Sequence, residues 1–308
     1  MPEYSIIEVP SGTIQKPEQL GAKSKFWFDG KDGFEYLCKF GRPDSGEDWS
    51  EKIAAEVADL LGIPHAVYEL ATCEGKRCVI SRSVVPPEAM IVHGNQLLGY
   101  VDPAYGSADR VRRYGEPSHT LEAIHRALDL IECRAPAGFA AEGLSINAKA
   151  AFAGYILLDA LVGNTDRHHQ NWAVTIAPGG LQACLAATFD HASCLGRDLS
   201  EEKRTERLES RDAGFSPEGY AERARSALFH PGETHRSMST IEAFGRVRDL
   251  HPDHAKGWLD RLEYISEWQF ADILAAVPES RMPSSAKEFA RRIMMHNRTR
   301  LLKLREGS

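Results

Sequence analysis

The sequence predicts an α+β chain folded in two lobes, a small β-rich N-terminal lobe with one helix and a larger, all-α C-terminal lobe broken by a single hairpin. Three observations predict it. Up to about Arg82 short apolar runs alternate with turn residues, as in FWF, DGKDG and FEYLCKF. Beyond Pro86-Pro87 the apolar residues recur at helical spacing instead. The 308 residues also exceed what one core usually organises, since single cores stop growing near ~250–300 residues. The lobes are therefore divided at 1–85 and 86–308.

In chain order, Asp29-Gly30-Lys31-Asp32-Gly33 turns a strand over 25–28 back against one over 34–40, and Glu74-Gly75 does the same for 66–72 and 77–85. Between these hairpins Ile53, Val57, Leu60 and Leu61 recur at helical spacing and stop at Gly62, with Pro64 beyond. The second part reads as helices over 121–131, 148–161, 221–228, 241–250, 263–276 and 286–304, with a polar loop over 99–119. Strands over 172–176 and 181–189, joined by Ala177-Pro178-Gly179-Gly180, interrupt the helices. There is no internal repeat.

Composition excludes several classes. With 43% hydrophobic and 26% charged residues the chain is neither disordered nor a membrane span; its longest uncharged apolar run, 150–158, stops at Asp159. The first residues lack a basic region followed by an apolar one, so a cytoplasmic location is expected, with secretion as an effector kept open. A net charge of −7 provides no field for nucleic acid. Cys38, Cys73, Cys78, Cys133, Cys184 and Cys194 show no CxxC spacing and read as structural thiols. The stretch 291–308 carries six basic residues against one acidic and reads as the solvated face of a closing helix.

The densest chemical signal is Gly163-Asn164-Thr165-Asp166-Arg167-His168-His169-Gln170-Asn171, directly after an apolar helix. An Asp and an Asn five residues apart on a turn suit phosphoryl transfer, the Asp accepting the hydroxyl proton and the Asn holding Mg²⁺. The following hairpin brings Asp190 back to Asp166 and Asn171, and three oxygen ligands presented in this way, completed by nucleotide phosphates, suit a hard divalent cation such as magnesium. Lys39 ends a strand amid apolar neighbours, and its ammonium needs an anion such as those phosphates. Glu51 and Glu56 compete as its partner, Glu51 being slightly preferred although Asp48-Trp49-Ser50-Glu51 also fits a capping pattern. The small, basic segment around Gly21, Ala22, Lys23 and Ser24 suits a phosphate loop, and the backbone near Ser81 and Ser83 an adenine edge. His168 and His191 are expected to orient backbone around the site.

Laid out in this way, the sequence resembles the HipA-like Ser/Thr protein kinases, in their short, HipT/CtkA-like form without an additional N-terminal subdomain. The resemblance rests on Asn164-Thr-Asp166-Arg167-His168-x-x-Asn171, Phe189-Asp190, Cys38-Lys39-Phe40, and Ser50-Glu51 leading to Leu61-Gly62-Ile63-Pro64. It implies a two-lobed protein-kinase-like fold binding ATP between the lobes, with Asp166 catalytic, Asn171 and Asp190 on magnesium and Lys39 on the phosphates. It also implies transfer to protein Ser/Thr hydroxyls, in the toxins often on translation-related proteins, and control by autophosphorylation and an antitoxin. Ser24 and Ser11 are the serines considered for autophosphorylation, and a small partner polypeptide is expected in place of the missing subdomain.

Other readings of the residues stay open. The same parts would serve a small-molecule or lipid phosphotransferase, with Arg110, Arg112 and Arg113 meeting an anionic acceptor, or a nucleotide-binding pseudokinase. A zinc hydrolase on His168, His169 and His191 is disfavoured, because no HExxH spacing is present.

Overall fold

The computed structural model describes residues 2–10, 12–13, 16–17, 24–105, 115–140, 143–180 and 182–305. A six-stranded sheet dominates the N-terminal part. It is built from β1 (Ile7–Glu8), β2 (Lys16–Pro17), β3 (Lys25–Asp29), β4 (Glu35–Phe40), β5 (Tyr68–Cys73) and β6 (Lys76–Arg82), in the order β1-β5-β6-β4-β3-β2. Both hairpins stand where the turn residues put them. Their pairing sets Lys39 opposite Val79 on one side and Lys25 on the other.

Alternation along these strands separates two faces. Phe26, Phe28, Cys38, Cys78 and Ile80 are buried together on one face. Trp27, Leu37, Lys39, Tyr68 and Ser81 line a cleft on the other. Lys39 is thus flanked in sequence by Cys38 and Phe40 but points away from Cys38 and its cluster, which explains how a cation fits within an apolar run.

Helix α1 (Glu47–Leu61) packs across this sheet and into the second lobe, its Trp49, Ile53 and Val57 buried in the main core. It begins one residue before Asp48, with Gly46 at its N-cap, so the capping pattern expected for Glu51 does not form and that carboxylate is released for the cleft.

The second lobe is organised around α4 (Ala148–Val162), which is buried on nearly all sides. Gly154 lets Trp258 lie against it, where an added Cβ would stand 2.4 Å from the indole ring, and Trp258 Nε1 donates to the Ala150 carbonyl at 2.7 Å. Around α4 lie α3 (Leu121–Leu130), α7 (Thr240–Leu250), α8 (Pro252–Tyr264) and α10 (Ser284–Lys303), with α2 (Gly94–Val101), α5 (Glu201–Glu209), α6 (Pro217–Glu222) and α9 (Glu267–Ala275) outside them.

Several expectations are corrected. The hairpin of β8 (Ala173–Ile176) and β9 (Ala183–Leu185) gains a third strand, β7 (Met90–His93), so the second lobe carries a small antiparallel sheet. The helix expected over 221–228 is instead α6, because Ser216 caps it and Pro217 sits in its first turn; beyond it Arg225 bridges to Ser239. The segment 263–276 divides into the end of α8 and all of α9, with Ser266 capping the latter. The loop expected over 99–119 starts later, since α2 runs to Val101, and Arg110, Arg112 and Arg113 lie outside the described residues. The basic C-terminal helix is not simply solvated: Arg291 pairs with Glu288 and Glu267, Arg292 with Glu218, and Arg305 with Asp260 and Glu263. Among the described residues no helix is long and apolar enough to cross a membrane, and Cys38, Cys73, Cys78 and Cys194 are buried and free.

Candidate active site

Helix α4 ends where the polar loop begins, and the two are tied by one residue. Gly163 takes the left-handed conformation (φ 70°) that ends the helix, which its lack of a Cβ permits. The following amide of Asn164 then donates to the Asp159 carbonyl at 2.8 Å. The Asp159 side chain reaches forward as well. It accepts from Arg167 Nε at 2.7 Å, from Arg167 Nη2 at 2.8 Å and from Asn164 Nδ2 at 2.8 Å. Arg167 is fully buried, and although burial opposes its charge, Asp159 holds the guanidinium above its usual range. Its remaining nitrogen, Nη1, donates to the Asn171 carbonyl at 2.6 Å and reaches the Phe189 carbonyl at 3.5 Å. A single buried ion pair therefore fixes both ends of the loop and the approach to Asp190.

Within the loop, the Asp166 amide donates to Asn164 Oδ1 at 3.2 Å, and Asn171 Nδ2 donates to the Asp166 carbonyl at 2.7 Å. His168 accepts the Gln170 amide at 3.1 Å, with its other nitrogen 3.7 Å from Asp166 Oδ1. The Asp166 side chain is 21% exposed, enough for a substrate to reach.

Asp190 arrives from the hairpin by stitching between the lobes. Thr188 donates to the Pro64 carbonyl and accepts from the Ala66 amide, at 2.9 and 2.8 Å. The Asp190 amide donates to the Tyr68 hydroxyl at 3.0 Å, and Asp190 itself has φ 62°, a conformation a non-glycine residue rarely adopts and one concentrated at functional sites.

At the centre lies Lys39. Its ammonium donates to Glu51 Oε1 and Asp190 Oδ1, both at 3.2 Å, and to the Tyr68 hydroxyl at 3.4 Å. Burial alone would pull its pKa down; the facing oxygens of Asp190, Tyr68 and Glu51 outweigh that and hold it well above the usual range. Glu51 is 1% exposed and its second oxygen accepts the His191 amide at 2.7 Å; burial pushes its pKa up against the opposing pull of Lys39. His191 is held well below its usual pKa by burial and by Arg167, so it is neutral, with Nε2 2.8 Å from the Thr188 hydroxyl. Glu56 pairs with Lys52 at 2.8 Å instead.

These groups face a cavity of about 440 Å³ between the lobes, lined by Lys39, Tyr68, Ser81, Ser83, Asn171, Phe189 and Asp190 among others. Ser24 is not on that wall: it lies at the rim of a separate cavity beside Gly41, Arg42 and Lys76. Gly21, Ala22, Lys23 and Ser11 lie outside the described residues. Sequence reasoning missed Tyr68, whose only signal was a Tyr within a strand, and the positioning role of Asp159, whose signal was a charge set within an otherwise apolar helix. It also missed a chain from α1 to the loop, in which Arg197 pairs with Glu47 and donates to Ser193 Oγ at 3.1 Å, that hydroxyl lying 3.5 Å from Asp166 Oδ2.

The donor set fits a magnesium-bound nucleotide. Asn171 spends its amide nitrogen on the Asp166 carbonyl, leaving its oxygen as the end that suits a cation, and Asp190 lines the same cavity with a carboxylate. Two protein oxygens with phosphates completing the shell are what Mg²⁺ commonly uses. Among the described residues no group of three or more His, Cys, Asp and Glu side chains forms a metal cage of its own, which goes against zinc on His168, His169 and His191.

No protein-family model matches the chain, and no curated protein matches it. Solved structures do. The proinflammatory kinase CtkA of Helicobacter pylori superposes with a TM-score of 0.72 at 17% identity, over 97% of this chain and 96% of that one. HipA of Shewanella oneidensis MR-1, solved in complex with HipB and operator DNA, superposes with a TM-score of 0.55 at 14% identity, over 96% of this chain and 67% of that one. The chain has the two-lobed, α+β, HipA/CtkA-like kinase fold.

Proposed function

We propose that, on this HipA/CtkA-like kinase fold, the chain is a magnesium- and ATP-dependent protein kinase acting on Ser/Thr hydroxyls. The observation that carries the reading is the ammonium of Lys39 held between Glu51 and Asp190 at the wall of the interlobe cavity, with Asn171 lining the same space. In this reading Lys39 neutralises charge on the transferred phosphoryl, and Glu51 keeps that ammonium aimed into the cleft. Bound at Asn171 and Asp190, magnesium would supply further neutralisation of the phosphates. Asp166 orients the acceptor hydroxyl and takes its proton, while Arg167 keeps the loop in register. Positioning and electrostatic stabilisation account for most of such an acceleration. The backbone around Ser81 and Ser83 meets the base, and His168 holds the turn.

The same reading includes a toxin or effector role, autophosphorylation, a translation-related substrate, a separate partner polypeptide and a cytoplasmic location. The partner draws support from the HipA structure, which contains HipB and operator DNA.

The test is transfer of labelled γ-phosphate from ATP to a panel of Ser/Thr peptides with and without Mg²⁺. Labelled peptide is expected only with the metal. Lys39→Met is expected to lower the rate ~10²–10³-fold, the usual cost of removing one preorganised charge donor. Label on small alcohols but never on peptides would favour the small-molecule phosphotransferase, and nucleotide binding without turnover the pseudokinase.

A further inference from the structure

Asp166 stands between two cavities. On one side Asn171, bonded to its carbonyl, lines the interlobe cleft. On the other, its chain neighbour Thr165 and its side-chain neighbour Ser193 line a second cavity of about 290 Å³ that also includes Arg197, Arg207, Tyr220 and Arg223. If the first takes the phosphoryl donor, the second is where an acceptor approaches.

The chemistry of this second cavity is cationic, although the chain as a whole carries a net charge of −7. Arg197 is spent on Glu47. Arg207 and Arg223 are different. Arg207 donates to the Phe215 carbonyl at 3.1 Å and its guanidinium lies 4.2 Å from the centre of the Phe215 ring, with the Tyr220 ring at 5.5 Å. Arg223 donates to the Gly214 carbonyl at 2.7 Å. Among the described residues neither has an ion-pair partner, and the carboxylate lining the cavity, Asp198, accepts from the Tyr220 hydroxyl at 3.2 Å. A carbonyl holds each guanidinium group in place, and aromatic faces also hold that of Arg207, without neutralising either, which leaves donors arranged for an incoming carboxylate or phosphate.

We propose that this cavity is an acceptor subsite that selects peptides carrying an acidic side chain within a few residues of the phosphorylated Ser or Thr. The proposal rests on the kinase reading above and adds the substrate class.

The test compares Ser peptides of one sequence with Glu, phosphoserine or Lys at the flanking positions. The Glu peptide is expected to exceed the Lys peptide about 10-fold or more in kcat/KM, as one charge-assisted hydrogen bond would give. R207E and R223E are expected to raise KM for the Glu peptide and lower it for the Lys peptide, with kcat little changed, a split that loss of folding would not produce. The milder R207A is expected to abolish the preference without reversing it. The phosphoserine arm tells a carboxylate site from a phosphate site, and either preference supports the proposal if the charge reversals remove it. Equal or better turnover of the Lys peptide, or an acidic preference that survives both reversals, overturns it and leaves the kinase reading standing. No transfer to any peptide overturns the kinase reading and this proposal with it.

Discussion

Asp166→Asn is expected to lower phosphoryl transfer by ~10²–10⁴-fold, the range that a positioned general base contributes, while leaving the unfolding midpoint nearly unchanged. The separation follows from how the residue is held. Two of its contacts within the loop run through the backbone: the amide donates to Asn164 Oδ1 and the carbonyl accepts from Asn171 Nδ2. Neither depends on the carboxylate. The side chain is part-exposed, with Ser193 Oγ at 3.5 Å and His168 at 3.7 Å, and an amide of the same shape fits the space it occupies. Nucleotide affinity is expected to persist, since Asp166 is not on the wall of the interlobe cavity. Single-turnover transfer alongside calorimetric ATP binding checks this, and a variant that transfers at the parent rate would remove Asp166 from the chemistry.

Asp159→Ala is expected to act in the opposite manner, through stability first. Removing the carboxylate leaves the Arg167 guanidinium, with 0% exposure, without its counter-ion, and stranding one member of a buried pair costs about 3–5 kcal/mol. It also removes the acceptor of Asn164 Nδ2. Urea unfolding should show the loss as a lower midpoint at similar slope. The double variant Asp159→Ala/Arg167→Met removes both charges and is expected to recover part of that stability. It should not recover transfer, because Arg167 Nη1 no longer ties the Asn171 and Phe189 carbonyls together. A double variant as unstable as the single one would show that the cost lies in lost packing rather than in the unpaired charge.

The parts legible in the sequence are those where chemistry restricts residue type. A Lys inside an apolar strand needs an anion, and an Asp and an Asn spaced along a turn after a buried helix need a reason to be there; Lys39, Asn171 and Asp190 do share one cavity. Glu51 over Glu56 was a narrow preference. It resolves because α1 starts at Glu47, which turns Glu51 inward and leaves Glu56 beside Lys52.

What could not be read depends on distant pairing. In sequence Asp159 is only the charge that ends an apolar run, until Arg167 folds back on it. Ser193 and Arg197 lie far in sequence from the Glu47 that joins them to α1. Helix α5 is so polar that no apolar stripe marks it, its one buried residue being Arg204. Helix α8 did carry a signal in Pro252 at its first turn and in Trp258, Leu259 and Leu262.

Lys39, Asn171 and Asp190 are expected to surround one triphosphate in the interlobe cavity. A crystal structure with Mg²⁺ and a non-hydrolysable ATP analogue tests it directly. Phosphates are expected within hydrogen-bonding reach of the Lys39 ammonium, with the cation bound by Asn171 Oδ1 and the Asp190 carboxylate. A nucleotide seated outside the interlobe cavity, or a cation that touches neither residue, would contradict it.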